Sequence, residues 1–398
     1  MYELKMNRDI LGKLGLRLLN AGEIAEVYNR YKSDLVSGLE GSESSLQMLK
    51  SCLSPTSLES LPEGREALVI EIGGTNLYSA RVIIKDHKPV IISSFKTQFK
   101  KIIFSSSQEF FQTIVASLDG VIKNSRFDAL AIVYSFAGKP TRTNNGVDII
   151  SSDKLTKEFE VPGIGKVGVG RKLVDTLNEL HPGLYSGQPV VVLNDTVATL
   201  FSNGADIGGV VGTGFNIALN TPKGIINSES GSFSGVPTYQ IVNEIDRESL
   251  DPGNGLAEKQ VSGVYLSKAF EKIVRILQEA GISLKYSKQI SSETITELLK
   301  YRGEDQEMLV LKEVASKLRD RSAQIVGVMI GTIFNTFPEI YKNEEERIPI
   351  EGSVFWQIPG YQEMVSETIK VITKKKITFI NVADAGRLGA AVAALGFL

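Results

Sequence analysis

A single cysteine, Cys52, leaves this 398-residue chain nothing to pair into an internal disulfide, and suits a protein of the reducing cytoplasm. Histidine is almost as scarce. His87 and His181 are the only two, which argues against a histidine-rich metal centre and against Ser-His-Asp chemistry. No apolar run is long enough to span a bilayer; the longest, Ile325 to Phe334, is broken by Gly327 and Gly331 and reads as a buried helix. An excess of either charge is also missing. The 44 Lys and Arg residues stand against 46 Asp and Glu, a formal net charge of −2, so no general attraction to nucleic acid or membrane is expected. The opening Met1-Tyr2-Glu3-Leu4-Lys5 lacks the apolar core of a secretory signal, and a cytoplasmic location is expected.

What is present describes an ordinary globular chain, 42% hydrophobic and 23% charged, long enough for two or three domain-sized units. Six short Val, Ile and Leu-rich runs read as strands buried on both faces: Ala67–Ile72, Ala129–Ser135, Val190–Leu193, Gly209–Val211, Ile348–Ile350 and Ile377–Ile380. Helical stripes lie between them, one through Phe110, Phe111, Ile114, Val115 and Leu118, another through Leu311, Val314, Leu318, Ile325 and Met329. Such alternation predicts α/β architecture. Val69–Leu77 and Val210–Ile217 echo one another as strand, glycine turn, strand, which points to a duplicated unit and two lobes facing across a cleft. The first 65 residues are polar and helical and are expected on the outside of one lobe. The charge runs Asn343–Glu346 and Lys374–Lys376 read as solvated surface.

The chemistry concentrates in a few places. An apolar strand, Pro189 to Leu193, ends in Asn194 and Asp195, and a second strand carries the turn Gly212-Thr213-Gly214 before Asn216. Together they offer a carboxylate to accept a proton and backbone N–H groups to hold a phosphate, the requirements of phosphoryl transfer to an alcohol. Asp195 has a plainer reading, as cap of the helix that follows it. The turns Gly73-Gly74-Thr75-Asn76 and Gly212-Thr213-Gly214 match neither a P-loop nor a dinucleotide fingerprint. They form an anion-binding concavity or are simple hairpin turns. Glu71 interrupts an apolar strand, where an unpartnered carboxylate is costly; it faces the cleft beside a metal–phosphate site or pairs with an unidentified basic residue. Glu229 lies in a Ser-Glu-Ser-Gly loop, and Glu258, on a helix, reads by default as solvent-exposed.

In order along the chain, Ile72–Asn76, Tyr134-Ser135-Phe136, Thr156-Lys157, Leu193–Val197, Val211–Asn216, Ser249–Gly253, Glu258-Lys259 with Ser262-Gly263, Gly352–Phe355, Asp384-Ala385-Gly386 and Gly389-Ala390-Ala391 resemble the hexokinase family of ATP-dependent sugar kinases. The resemblance runs from about Ala67 to Ala394. It implies two actin-like, ribonuclease-H-like lobes built from duplicated βββαβα units, a small lobe of residues 66–195 and 383–398 and a large lobe of 1–65 and 196–382, closing over a hexose. It implies that Ser135, Thr156, Lys157, Asn194, Asp195, Asn216, Glu229 and Glu258 hold the sugar, which replaces the exposed reading of Glu258. Gly73, Gly74, Thr75, Asn76, Gly212, Thr213, Gly214 and Gly386 would bind ATP, with Glu71 an indirect partner of Mg²⁺. Asp195 would take the proton of the 6-hydroxyl while Lys157 and Mg²⁺ balance charge. A monomer or homodimer, with no nucleic-acid or membrane partner, is expected.

Departures from the family pattern fall mainly on the nucleotide side. Glu71 stands where most members have Asp, Tyr78 where they usually have Arg, and Ala137 and Leu155 replace a Pro and a Trp flanking the sugar motifs. The leading expectation is glucose 6-phosphorylation for glycolysis. Fructose, mannose or an amino sugar as acceptor, a sugar-binding regulator without turnover, and a structural ATP-binding relative of actin are the alternatives; the last does not account for Asp195, Glu229 and Glu258.

Overall fold

The computed structural model describes residues 9–73, 76–99, 103–122, 126–136, 138–152, 160–165, 167–285 and 290–398. Its strands are β1 (Leu49–Lys50), β2 (Glu66–Ile72), β3 (Asn76–Lys85), β4 (Lys88–Gln98), β5 (Ala129–Tyr134), β6 (Gly138–Thr143), β7 (Gly146–Ser151), β8 (Val190–Leu193), β9 (Ile207–Val211), β10 (Phe215–Thr221), β11 (Gly224–Asn227), β12 (Glu345–Glu351) and β13 (Lys376–Ile380). They make a seven-stranded sheet ordered β4-β3-β2-β5-β8-β7-β6 and a six-stranded sheet ordered β1-β11-β10-β9-β12-β13.

The six runs expected as doubly buried strands form β2, β5 and β8 in one sheet and β9, β12 and β13 in the other, each triplet parallel; β13 departs from the expectation, because it is an edge strand with Lys376 and Thr378 exposed. Beside each triplet lie two strands that the sequence signals only as extended runs after the glycine turns. The order β4-β3-β2-β5-β8 matches β11-β10-β9-β12-β13, with strands numbered three, two, one, four, five in chain order in both. That repetition is the duplicated βββαβα unit, and the α/β class expected from the sequence is the one observed.

Contacts group the chain into two compact units. One comprises residues 1–48, 209–217 and 228–381, the other 49–208, 218–227 and 382–398. Relative to the lobes drawn from sequence, residues 49–65, 196–208, 218–227 and 382 fall in the other unit. The reasons are local: β1 pairs with β11, and the helix Asp195–Phe201 packs on the helix Ala385–Leu395.

In the unit holding the seven-stranded sheet, strand alternation builds two cores. Ala67 and Val69 of β2 join Ala131, Val191, Val197 and the alanines of Ala385–Leu395 on one face. Leu68, Ile70 and Ile72 join Ile132, Val192 and the helices Ser107–Ala116 and Val169–Leu180 on the other. With helices covering both faces, β5 has no solvent side, and its sequence Ala-Leu-Ala-Ile-Val-Tyr is apolar throughout.

The second unit is organised around the helix Gln306–Thr336, capped by Asp305, whose side chain accepts from Met308 N at 3.0 Å. The helices Ala21–Glu40, Gly263–Glu279, Ser292–Lys300 and Tyr361–Thr373 pack against it, and Ile325 to Phe334 are buried there as expected. The two charge runs are not simply solvated. They meet across the β12–β13 ladder, where Lys376 pairs with Glu345 at 3.0 Å and Lys375 with the buried Glu346 at 3.5 Å. Among the described residues, no helix is long and apolar enough to cross a membrane.

Candidate functional site

The parallel strands β2, β5 and β8 end level with one another, because Ile72 lies opposite Tyr134 and Val133 opposite Leu193. The residues just beyond them, Gly73, Ser135 and the pair Asn194-Asp195, therefore stand side by side at the carboxyl edge of the sheet. That edge is where parallel α/β sheets take ligands. Asn194 is the helix cap, its Oδ1 accepting from Thr196 N at 2.9 Å. Asp195 opens the helix; its Oδ1 accepts from Thr196 N at 2.7 Å and Thr196 Oγ1 at 3.2 Å. The second carboxylate oxygen, Oδ2, takes no hydrogen bond from the described residues, and the side chain is half-buried. Behind it, burial pushes the Tyr134 phenol up to about 12, so the hydroxyl that meets Ser151 Oγ at 2.8 Å stays protonated and serves as a strut.

The first glycine turn joins β2 to antiparallel β3, with Gly73 N donating to Asn76 O at 3.0 Å. Beside that bond, the Asn76 Oδ1 atom is buried without a partner among the described residues. Gly74, Thr75, Thr156 and Lys157 lie outside the described residues. Glu71 has the basic partner that its place in an apolar strand requires. Arg387, in the first turn of the helix Ala385–Leu395, holds its Nη1 3.8 Å from Glu71 Oε2. Arg387 also pairs with Asp384 and lies 4.5 Å over the Tyr78 ring. Gly386 adjoins it and is buried. Sequence reading passed over Arg387, although a lone arginine in an Ala- and Gly-rich helix is as conspicuous as a lone glutamate in an apolar strand.

In the other unit, Asn216 at the start of β10 accepts through Oδ1 from Ile217 N at 2.7 Å and from Ser230 N at 3.1 Å. This fastens the loop carrying Glu229 to the strand. Glu229 itself adopts a left-handed backbone, φ 54°, which a non-glycine residue keeps only when its surroundings dictate it. They do so through a chain of hydroxyls. Ser228 Oγ donates to Ile217 O at 2.6 Å and meets Ser230 Oγ at 2.5 Å, and Ser230 Oγ meets the buried Tyr31 hydroxyl at 2.7 Å. Burial pushes the Tyr31 phenol well above its ordinary value, so it remains a neutral hydrogen-bonding group.

Glu258 begins the short helix Glu258–Val261 and is half-buried rather than exposed. A Cβ built on Gly214 would stand 3.3 Å from Glu258 Oε1, and one on Gly231 3.5 Å from Oε2. The carboxylate thus sits between the two glycines, and Asn216, Glu229 and Glu258 are gathered around them. The neighbouring Lys259 is buried and donates to Asp246 Oδ1 at 2.6 Å, Asp251 O at 2.9 Å and Asn254 O at 2.8 Å, anchoring that helix. The turn Gly212-Thr213-Gly214 lies against two more glycines. Gly263 N donates to Gly212 O at 2.7 Å, and at Gly352, φ 119°, a Cβ would fall 2.1 Å from Val211 O. Thr213 is exposed, and Ser262 Oγ is fully buried without a partner.

Among the described residues no group of three or more His, Cys, Asp or Glu side chains could cage a metal ion, but Mg²⁺ that arrives on phosphates needs only one or two carboxylates. Among the described residues, Arg387 Nε in one unit and the Ser262 hydroxyl in the other are buried donors without an acceptor, and Asn76 Oδ1 is a buried acceptor without a donor. A cavity of about 700 Å³ among Lys13, Arg17, Glu23, Tyr239, Arg247 and Arg321 contains none of the expected site residues.

Two family models, both described as hexokinase, match residues 17–205 and 206–396. Hexokinase-1 of Mus musculus is 22% identical over 93% of this chain and 43% of its own length. A protein of Nicotiana tabacum named Hexokinase-2, chloroplastic, is 28% identical over 56% of this chain and 51% of its own. The chain thus spans about half the length of the curated relatives it matches. Among solved structures, a hexokinase from Schistosoma mansoni complexed with glucose superposes with a TM-score of 0.81 at 21% identity, covering 99% of both chains.

Proposed function

The chain belongs to the hexokinase family, and from that premise we propose that it transfers the γ-phosphoryl group of MgATP to the 6-hydroxyl of a hexose. Glucose is the first candidate, since a relative of the same fold is a complex with glucose. The observation that carries the reading is Asp195. Its half-buried carboxylate stands at the carboxyl edge of a parallel sheet, with one oxygen engaged by Thr196 and the other taking no hydrogen bond from the described residues.

In the proposed reaction Asp195 Oδ2 accepts the proton of the 6-hydroxyl as that oxygen attacks phosphorus. General base assistance of this kind is worth about 10²–10⁴ in rate. Thr196 holds the other oxygen and so fixes the plane of the carboxylate. Ser135, Asn194, Asn216, Glu229 and Glu258 give the alternating donors and acceptors that a ring of hydroxyls needs, and Thr156 and Lys157 complete that set. Bound MgATP supplies the transferable phosphoryl group and the divalent charge that offsets its oxygens. Gly73 to Asn76 and Gly212 to Gly214 would hold the phosphates through N–H and hydroxyl donors, Gly386 would contact the nucleotide, and Glu71 would meet the metal indirectly. Positioning and electrostatics must provide what the base does not.

The test is ADP release measured by a coupled assay over glucose, fructose, mannose and glucosamine, with ATP and with other phosphate donors. Sustained, Mg²⁺-dependent and hexose-dependent turnover is the expected result. Saturable sugar binding with no ADP formed would replace the kinase by a sugar-binding regulator, a reading favoured by the engagement of Glu71 with Arg387.

A further inference from the structure

Tyr78 leaves β3 without the positive charge that the family usually carries there. We propose that Arg387 restores that charge from the opposite side, donating to a phosphoryl oxygen of the bound nucleotide. The inference rests on the kinase reading above and adds a residue that none of the sequence motifs contains.

Four features of the site support it. The guanidinium is 9% exposed, and a cation so far from water is costly unless its N–H groups are all engaged. They are not, because Nε–H has no acceptor among the described residues. Buried donors in folded proteins are seldom left idle. Second, its orientation is already fixed. Glu71 holds one Nη, Asp384 holds the other, and the Tyr78 ring lies 4.5 Å beneath the Cζ. A donor prepared in this way loses little freedom when a ligand arrives.

Third, the cluster is laid out as a row. Glu71 on β2 pairs with Tyr78 on β3, and Tyr78 with Lys96 on β4; the Lys96 ammonium stands 5.4 Å from the same ring. Two cations thus balance the two carboxylates Glu71 and Asp384, so the site is poised near neutrality and does not repel an anion outright. Fourth, the row flanks the first glycine turn, since Glu71 precedes Gly73 by two residues and Tyr78 follows Asn76 by two. Arg387 also belongs to the first turn of an eleven-residue helix, where free backbone N–H groups favour negative charge. A phosphoryl oxygen beside the turn would give Nε–H its acceptor.

The experiment measures binding rather than turnover. Calorimetry would follow a non-hydrolysable ATP analogue with Mg²⁺ on the parent chain, on Arg387→Gly, on Arg387→Met, and on the double variant Tyr78→Arg/Arg387→Gly, with hexose affinity and melting temperature measured alongside. Loss of one charge-assisted hydrogen bond should weaken the analogue by about tenfold to a hundredfold, leave hexose affinity unchanged, and be largely reversed in the double variant. A merely structural arginine would not be rescued by a new charge on β3. Arg387→Met keeps most of the stem's packing and serves if the glycine variant folds poorly. If the parent binds the analogue and both single variants bind it equally well, or if Tyr78→Arg restores nothing, the assignment of Arg387 is wrong while the kinase reading stands. If the parent neither binds the analogue nor turns over, the kinase reading falls, and the role of Arg387 with it.

Discussion

Replacing Asp195 by asparagine removes the proposed base while leaving nearly everything else in place. Asparagine has the same shape, and its Oδ1 can still accept from Thr196 N and Oγ1, the contacts Asp195 makes at 2.7 and 3.2 Å. The helix cap is untouched, because Asn194 provides it at 2.9 Å. What folding loses is one negative charge at a helix start, worth about 0.3–1 kcal/mol. On the proposed mechanism, the reaction loses its proton acceptor. A base contributing about 10²–10⁴ corresponds to about 3–5 kcal/mol of barrier, so kcat should fall by that factor while hexose affinity changes little. The assay pairs steady-state ADP release with a urea denaturation curve and a hexose titration. An Asp195→Asn chain that kept more than about a tenth of parental kcat at unaltered stability would refute the role of Asp195 as base. Unfolding that became easier by several kcal/mol would instead show a structural carboxylate.

Three further outcomes are expected. Glu229→Gly should leave stability within about 1 kcal/mol, relief of the left-handed strain being offset by the looser unfolded chain, yet weaken hexose binding; denaturation with a sugar titration checks both. Lys259→Met should cost about 3–5 kcal/mol at neutral pH by stranding Asp246. Burial raises the Asp246 pKa, but Lys259 and Gly253 N–H outweigh burial and hold it below the ordinary value. The parent's stability from this pair is therefore present above about pH 4 and lost as pH falls below it, a loss that melting against pH should not find in Lys259→Met. Gly389→Ala would put a methyl 1.8 Å from Ala198 O and 2.8 Å from Ser202 N; since backbone cannot yield as a side chain does, a cost above about 3 kcal/mol is expected in chemical denaturation.

The central strands were legible because burial on both faces leaves no polar residue to obscure them. β5 and β8 are nearly pure Val, Ile, Leu and Ala, and the runs read from sequence agree with them within a residue. The flanking strands were not, for the converse reason. β4 alternates half-buried with exposed positions and ends in five exposed residues, so its composition resembles that of a loop. At the site, Asn194 and Asp195 were marked by polar residues ending an apolar strand. The cap turned out to belong to Asn194, a one-residue distinction that composition does not resolve. Glu258 was legible only through motif order, because its burial depends on Gly214 and Gly231, distant in sequence. Arg387 and Glu71 each announced an unmet charge, but only tertiary structure says that they meet.

The hydroxyl chain under Glu229 carries the influence of the N-terminal helix into a loop that lies some 200 positions downstream, Tyr31 and Ser230 being 199 residues apart. Tyr31 touches no expected sugar ligand, yet it helps to hold a glutamate in a backbone shape that would otherwise relax. On the proposed reading of Glu229 as a sugar ligand, substitutions drifting through Ala21–Glu40 would retune hexose preference well before they threatened the fold.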